Sequence, residues 1–128
     1  MMLLDDNGAE RKSPWPVEIR LSKDKCHLSI RFDDGFKTDL VAELLRVESP
    51  SAEVQGHGVG QKITPSGKRN VKIEHIEPVG NYAIRLKFND GHDTGIFSWS
   101  TLYDYSIRQD ALMKNYIARL LSSGESRD

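Results

Sequence analysis

Three residues of the sequence could together bind a divalent metal. His57 lies in a glycine-rich segment, and His92 and Asp93 follow the tight-turn signal Asp90-Gly91. Neutral imidazole and carboxylate groups are suitable ligands for zinc, iron or nickel. These residue types suggest a metal site made of His57, His92 and Asp93, and a partner or ligand surface that also includes Asp90. The alternative is that His92 packs on a strand and hydrogen-bonds a loop backbone.

Two other local patterns resemble catalytic or phosphate-binding motifs. Cys26-His27 is a thiol–imidazole pair, but adjacent residues of a strand point to opposite faces, so a buried and unreactive Cys26 is expected. Residues 56–62 are rich in glycine, yet they lack the spacing of a Walker loop and of a dinucleotide fingerprint. Because no nucleophile–base pair or carboxylate dyad is evident, we expect a protein that is not an enzyme.

Two clusters of side chains could contact a macromolecule. A basic cluster is expected to be a solvated part of a loop, because few aromatic residues interleave with it; its members are Lys62, Lys68, Arg69 and Lys72. An aromatic group is expected to pack mainly in the core and at its edge, with one or two exposed members able to anchor a protein interface. This group consists of Phe97, Trp99, Tyr103 and Tyr105.

Composition favours one soluble domain. The chain has 128 residues, 18 basic and 19 acidic, with a net charge of −1. We therefore expect neither nucleic acid nor a membrane surface as a partner. Cys26 is the only cysteine, which excludes an internal disulfide, and the first residues lack the pattern of a secretory signal. The expected location is the cytoplasm.

The elements that must position these residues form a repeated pattern. Apolar residues alternate over 26–32 and again over 82–88, and each run ends in a turn signal, Asp33-Asp34-Gly35 and Asn89-Asp90-Gly91. A return strand and a helical turn are expected after each turn, over residues 36–40 and 41–47 and over residues 92–97 and 98–105. Aligning the turns places Leu40 opposite Ile96. We predict two pseudo-symmetric hairpins that share one core.

The rest of the chain completes an α+β fold of mostly antiparallel β-hairpins, short helical turns and a C-terminal amphipathic helix. A further strand is expected over residues 71–76, after a long exposed loop over residues 56–70. The expected organisation is a flexible lead-in (1–13), a domain (14–107), a helix (108–121) and a flexible tail (122–128).

Several fragments together resemble one known family. They are Trp15-Pro16, Leu45-Arg46 followed by Ser49-Pro50-Ser51, Gly56-His57, Gly80-Asn81-Tyr82-Ala83, and the run from Asp90 to Trp99. On these residues the chain is identified as a member of the gamma-butyrobetaine-hydroxylase-like N-terminal domain family, over residues 14–107. The resemblance implies the fold and three contexts in which the domain occurs. These are the N-terminal part of a hydroxylase, attachment to P-loop ATPases of iron–sulfur cluster assembly, and a stand-alone bacterial protein.

The same resemblance implies a zinc site of three cysteines and one histidine, but the cysteine positions correspond to Ser49, Ser51 and Val54. Only the histidine position, His92, is retained. A neutral serine hydroxyl is a poor zinc ligand and valine is none, so we expect no cofactor, neither zinc nor iron. The hydroxylase activity also resides in a partner domain that this sequence does not contain.

These observations favour a non-enzymatic binding or adaptor module with a protein partner, accessory to iron–sulfur cluster assembly or to an oxygenase system. The alternative is a metal-binding protein that uses a His/Asp site around His92. As an assembly, a monomer or a weak homodimer is expected.

Overall fold

Two three-stranded antiparallel sheets and one long helix form the fold, which confirms the predicted α+β class. The computed structural model describes residues 14–56 and 62–128. The first sheet contains β1 (Pro16–Leu21), β2 (His27–Phe32) and β3 (Lys37–Val41), in that order. Two short helices follow, α1 (Ala42–Val47) and α2 (Ala52–Gln55). The second sheet contains β4 (Ile73–Val79), β5 (Ala83–Phe88) and β6 (Gly95–Ser98), and the chain continues into α3 (Trp99–Ser122).

The two predicted hairpins are present and their turns have the same geometry. Gly35 and Gly91 have φ of 90° and 91°, a left-handed conformation that favours glycine. The Gly35 amide donates to the Phe32 carbonyl and the Gly91 amide donates to the Phe88 carbonyl, both at 3.0 Å. The repeated Asp-Gly signal therefore produces the same turn twice.

The pairing of the second return strand is shifted by one residue relative to the alignment of the two turns. Leu28 pairs with Leu40 in the first hairpin, whereas Ile84, its equivalent, pairs with Phe97 in the second. The equivalent of Leu40 is therefore Phe97 and not Ile96, which is exposed. The additional residue lies between the second turn and β6. His92 lies before β6 and not on the return strand, where the sequence pattern placed it.

Inward-facing residues of both sheets pack against α1 and α3 in one core. Leu28, Ile30 and Phe32 from β2 pack with Ile84, Leu86 and Phe88 from β5 and with Leu102 from α3. Tyr82 was expected on the inward face, but it lies in the turn before β5 and is 55% exposed. Cys26 also precedes its strand and is only partly buried. Period-two alternation thus identifies the strand centres better than their ends.

The C-terminal helix is continuous, whereas the sequence pattern suggested a helical turn followed by a separate helix. The hydroxyl of Ser98 accepts a hydrogen bond from the Thr101 amide and caps the helix N-terminus. Tyr116 and Leu120 near the other end pack against Val47 of α1. The boundary predicted between residues 107 and 108 therefore falls inside α3. No helix in residues 14–56 or 62–128 is long and apolar enough to cross a bilayer.

The last residues dock on the domain, although the sequence suggested a flexible tail. The carbonyls of Ser126 and Arg127 accept hydrogen bonds from the amides of Gly67 and Arg69, each at 3.0 Å. The Arg127 guanidinium donates two hydrogen bonds, of 2.6 and 2.8 Å, to Glu43, which is 6% exposed. This ion pair holds the tail because the Glu43 carboxylate is buried and needs a donor. It also holds residues 67–69, part of the segment that was expected to be an exposed loop.

Candidate functional site

Two segments from different parts of the chain meet around His92. The first runs from the end of α1 through α2 and provides Ser49, Ser51 and Glu53. The second is the turn after β5, which provides His92 itself. Ser49, Ser51 and His92 are at most 6% exposed. We call His92, Ser49, Ser51 and Glu53 the His92 centre.

Both ring nitrogens of His92 are occupied within this centre. Nε2 lies 3.0 Å from Ser49 Oγ and 3.3 Å from Ser51 Oγ, and Nδ1 lies 2.9 Å from Glu53 Oε2. The carboxylate can only accept, so the proton of the neutral ring resides on Nδ1, and Nε2 accepts from a serine hydroxyl. The two hydroxyls are 3.2 Å apart and form a hydrogen bond with each other.

The His92 ring is held in its neutral form. Burial lowers the pKa of His92, and the positive charge of Arg46 lowers it further, whereas Glu53 acts in the opposite direction. Burial dominates because transfer from water disfavours the charged imidazolium. A neutral ring at pH 7 agrees with the arrangement of one donor and one acceptor nitrogen.

Asp90 anchors the turn that carries His92. Its Oδ1 accepts from the His92 amide at 3.0 Å, and its Oδ2 accepts from Arg46 and from Lys68, both at 2.7 Å. Burial raises the pKa of Asp90, but the hydrogen bonds from Lys68, the His92 amide and Arg46 outweigh it and lower the pKa to about 2. Asp90 is therefore ionised and links the second turn to α1 and to the segment before β4.

A close contact between β6 and the His92 centre requires a glycine at position 95. A Cβ atom added to Gly95 would lie 2.3 Å from Ser49 Oγ, which is far closer than two such atoms can approach. Any other residue at this position would push the Ser49 hydroxyl away from His92. The packing that excludes a side chain at Gly95 also removes solvent from Ser49, which is fully buried.

The residues predicted from the sequence are only partly brought together. His92 and Asp90 belong to the same turn, and Asp90 binds the backbone of His92 and not its ring. Asp93 is exposed, and no hydrogen bond or ion pair of its carboxylate is found in residues 14–56 and 62–128. His57 lies outside the described residues. Glu53 was missed, because its contact with His92 arises only when α2 folds back onto the second hairpin.

The donor set of the centre does not fit the zinc site that the resemblance implies. Ser49, Ser51 and His92 do converge, so three of the four corresponding positions meet in space. The fourth, Val54, is a buried apolar residue. Two neutral hydroxyls and one imidazole lack the thiolates that a structural zinc site requires. Within the described part of the chain, no three His, Cys, Asp or Glu residues lie close enough to hold a metal ion.

The order Glu53–His92–Ser49 resembles the carboxylate–imidazole–hydroxyl chain of serine hydrolases, but a substrate cannot reach the Ser49 hydroxyl. In such enzymes the hydroxyl must reach a substrate carbonyl beside an oxyanion-binding site. Here the Ser49 side chain is fully buried against Gly95. The arrangement is therefore suited to holding two loops together and not to attacking a substrate.

The other candidates from the sequence are found in separate places. In the basic cluster, Lys62 pairs with Glu48 at 2.6 Å, Lys68 pairs with Asp90 at 2.7 Å and Arg69 pairs with Asp128. The Cys26 thiol contacts the Asp24 carbonyl at 3.5 Å. In the aromatic group, Phe97 is buried, whereas the other three members are partly exposed and pack at the edge of the core.

Comparison with known proteins agrees with this fold. A solution structure determined by NMR is 47% identical, with coverage of 90% of this chain and 90% of that one, and the TM-score is 0.78. A crystal structure of a protein of unknown function from Acidithiobacillus ferrooxidans, of the DUF971 family, is 38% identical with a TM-score of 0.55. It covers 68% of this chain and 86% of its own. No curated protein matches the chain.

The family model described as gamma-butyrobetaine hydroxylase-like, N-terminal, matches residues 19–103. The match includes both hairpins and all four residues of the His92 centre. The chain therefore belongs to the gamma-butyrobetaine-hydroxylase-like N-terminal domain family.

Proposed function

We propose that this chain is a non-enzymatic adaptor module that binds a protein partner through the surface around the His92 centre. The observation that carries the proposal is the alternation of buried and exposed residues in the two segments of the centre. Ser49, Ser51, Val54, His92 and Gly95 are buried, and the residues between them are exposed. The rim consists of these exposed residues together with Ile96, which directly follows Gly95 and is also exposed; its members are Pro50, Ala52, Glu53, Asp93, Thr94 and Ile96.

In this alternation the buried residues support the two segments, and the exposed residues form the binding surface. The contacts of the buried His92 ring with Ser49, Ser51 and the rim residue Glu53 fix the backbone of both segments, so the rim residues are held in one arrangement before any partner binds. Preorganisation lowers the entropic cost of association. The rim combines the apolar side chain of Ile96 with the carboxylates of Glu53 and Asp93. It would suit a partner surface with an apolar patch flanked by basic groups.

The family relationship supports a context for this partner. Domains of this kind are attached to P-loop ATPases of iron–sulfur cluster assembly and precede the oxygenase fold of hydroxylases. A domain with the same fold could bind to such proteins. We therefore propose a cytoplasmic accessory role in iron–sulfur cluster assembly or in an oxygenase system.

The decisive experiment is isothermal titration calorimetry of the full chain against the purified iron–sulfur assembly ATPase and oxygenase of the same organism. We expect one of them to bind, and the double variant Asp93→Lys/Ile96→Asp to weaken binding at least tenfold. The matched control is Glu18→Lys/Val17→Asp, which makes the same kinds of change on exposed residues of β1 and should leave the affinity unchanged. The proposal fails if neither protein binds at 100-fold excess, or if both double variants behave alike.

A further inference from the structure

The last three residues, Ser126 to Asp128, lie against the domain in the manner of a bound peptide. The carbonyls of Ser126 and Arg127 accept hydrogen bonds from two backbone amides of the segment 67–69. The Arg127 guanidinium donates through Nε and Nη2 to both carboxylate oxygens of Glu43. Ser126 and Asp128 are themselves exposed. Polar contacts therefore attach these three residues, which we call the end segment.

The surface beneath the end segment is held in place by contacts that do not involve it. Glu43 belongs to α1, and its neighbours on that helix are buried in the core. The segment before β4 is anchored at Lys68, which pairs with Asp90 at 2.7 Å. It is also anchored at the carbonyl of Pro65, which accepts from the Tyr116 hydroxyl at 2.5 Å. The surface is therefore preformed, which lowers the entropic cost of binding a peptide.

The groove in which Arg127 lies is larger than the end segment requires. Glu43 and Arg127 form part of the wall of a cavity of about 540 Å³, bounded by residues of the first sheet and of α3. The wall also contains the carboxylates of Asp39 and Asp110. Asp110 forms no ion pair or hydrogen bond with the part of the chain that the structure describes. Three carboxylates in one groove attract basic groups, and one of them is left without a partner.

We propose that this groove is a docking site for an arginine-containing segment of a partner protein, and that the end segment is its internal competitor. An arginine of the partner would replace Arg127 at Glu43, so the buried carboxylate would keep a cationic donor after the exchange. An acidic residue next to that arginine would replace Asp128, which pairs with Arg69. The groove shares no residue with the rim, so this inference is independent of the function proposed above.

The contacts of the end segment define which partner segments fit. Its two backbone hydrogen bonds are available to any extended peptide, so they add affinity without selecting a sequence. Selection comes from Glu43, because a planar guanidinium binds both carboxylate oxygens at once and a lysine ammonium does not. Competition by the end segment lowers the apparent affinity by the fraction of molecules in which the groove is open. A partner segment therefore needs a contact beyond Glu43, and Asp110 offers one.

Fluorescence anisotropy with a labelled and capped peptide, Gly-Glu-Ser-Arg-Asp, tests the site in the full chain. Arg127→Ala should bind this peptide about tenfold more tightly than the wild type, because its own end segment no longer competes. Loss of the carboxylate in Glu43→Gln/Arg127→Ala should weaken binding about tenfold, and so should lysine in place of the peptide arginine. Equal binding to the wild type and to Arg127→Ala, or binding that does not depend on Glu43, overturns the proposal.

Arg127→Lys keeps the experiment conclusive if circular dichroism shows that Arg127→Ala is unfolded. The lysine retains a positive charge beside Glu43 but cannot bind both oxygens, so it leaves no unpaired buried charge and holds the end segment more loosely. The peptide should bind Arg127→Lys more tightly than the wild type. An affinity equal to that of the wild type would show that the end segment does not compete, and the proposal fails.

A second peptide distinguishes a partner site from simple attachment of the end segment. The peptide Arg-Gly-Ser-Arg-Asp-Gly-Arg carries an additional arginine on each side, so that one is directed along the groove in either orientation. It should bind Arg127→Ala about threefold more tightly than the first peptide, as expected for one additional exposed ion pair. Asp110→Asn/Arg127→Ala should lose this gain. If there is no gain, or if the gain survives Asp110→Asn, the groove serves the end segment alone and the proposal is wrong.

Discussion

His92 and Phe36 occupy equivalent positions in the two hairpins. The amide of each donates to the aspartate of the preceding turn, Phe36 to Asp34 at 2.9 Å and His92 to Asp90 at 3.0 Å. The carbonyl of each accepts from the phenylalanine before the turn, at 2.8 and 2.9 Å. The rings have different roles. Phe36 packs on Phe32 and on Tyr103 of α3, whereas the His92 ring joins two serines and a glutamate.

This equivalence shows that one backbone motif serves as an apolar anchor in one hairpin and as a polar anchor in the other. Each turn aspartate also reaches a different element: Asp34 accepts from the Tyr103 hydroxyl, and Asp90 from Arg46 and Lys68. The first hairpin therefore provides an internal control for a substitution of Asp90.

Replacement of His92 by alanine should destabilise the fold. The change removes the partner of two buried hydroxyls and of Glu53, so we expect a loss of about 2–4 kcal/mol in the free energy of unfolding. Urea denaturation measures it. His75→Ala, on an exposed position of β4, is the matched control and should change stability by less than about 0.5 kcal/mol. Equal stability of the two variants would show that the His92 centre does not support the fold.

Cysteines at the three positions that correspond to the zinc-binding cysteines of the family should convert the His92 centre into a zinc site. The triple variant Ser49→Cys/Ser51→Cys/Val54→Cys would surround His92 with the ligands of a tetrahedral site. We expect close to one zinc per chain by elemental mass spectrometry of untagged protein purified without chelator, and almost none in the wild type. The same triple variant with His92→Ala should lose most of the metal. Absence of zinc from the triple variant would show that Val54 does not face the other three positions.

Stability should fall as the pH drops below about 6.5, the ordinary value for histidine. The pKa of His92 is lower in the folded chain than in the unfolded chain. The unfolded state therefore binds the proton first, so the stabilisation from this group is complete above the unfolded pKa and is lost as the pH falls through the folded pKa. Urea denaturation at pH 7.5 and pH 5 measures the change. His92→Gln should show a smaller pH dependence between these values; an unchanged dependence would assign it to another group.

Removal of the Asp90 charge should cost more than removal of the equivalent charge in the first hairpin. Asp90→Asn weakens two charged hydrogen bonds, to Arg46 and Lys68, whose side chains are 13% and 21% exposed. We expect a loss of about 1–3 kcal/mol. Asp34→Asn is the matched variant, because among residues 14–56 and 62–128 Asp34 bonds one side chain, that of Tyr103, at an exposed site. A larger loss for Asp34→Asn in urea denaturation would contradict this ranking.

The ion pair between Arg127 and Glu43 should hold the last residues on the domain. Arg127→Ala leaves the Glu43 carboxylate buried and unpaired, which we expect to cost about 3–5 kcal/mol. The double variant Glu43→Gln/Arg127→Ala should recover part of this loss, because no buried charge remains. Hydrogen exchange of the Arg69 amide, which donates to the Arg127 carbonyl, reports docking of the tail directly. Slow exchange of that amide in Arg127→Ala would show that the backbone contacts suffice.

Much of the fold could be predicted from local sequence because local chemistry determines it. The two Asp-Gly signals specify left-handed glycines and hence both turns, and alternation over residues 28–32 and 84–88 identifies the buried face of each central strand. Family resemblance also indicated that Ser49, Ser51 and His92 would correspond to one site, and they do meet. These features depend on residues close in sequence or on a pattern of several fixed motifs.

The tertiary structure decided the contacts between distant segments. Glu53 reaches His92 only because α2 folds back against the second hairpin, and Arg127 reaches Glu43 across 84 residues of chain. One additional residue before β6 exchanged the roles of Ile96 and Phe97, which alternation alone could not reveal. Each of these contacts satisfies a polar group or an apolar surface that folding buries. Which partner satisfies it depends on where the chain returns in space, and a single sequence does not specify that locally.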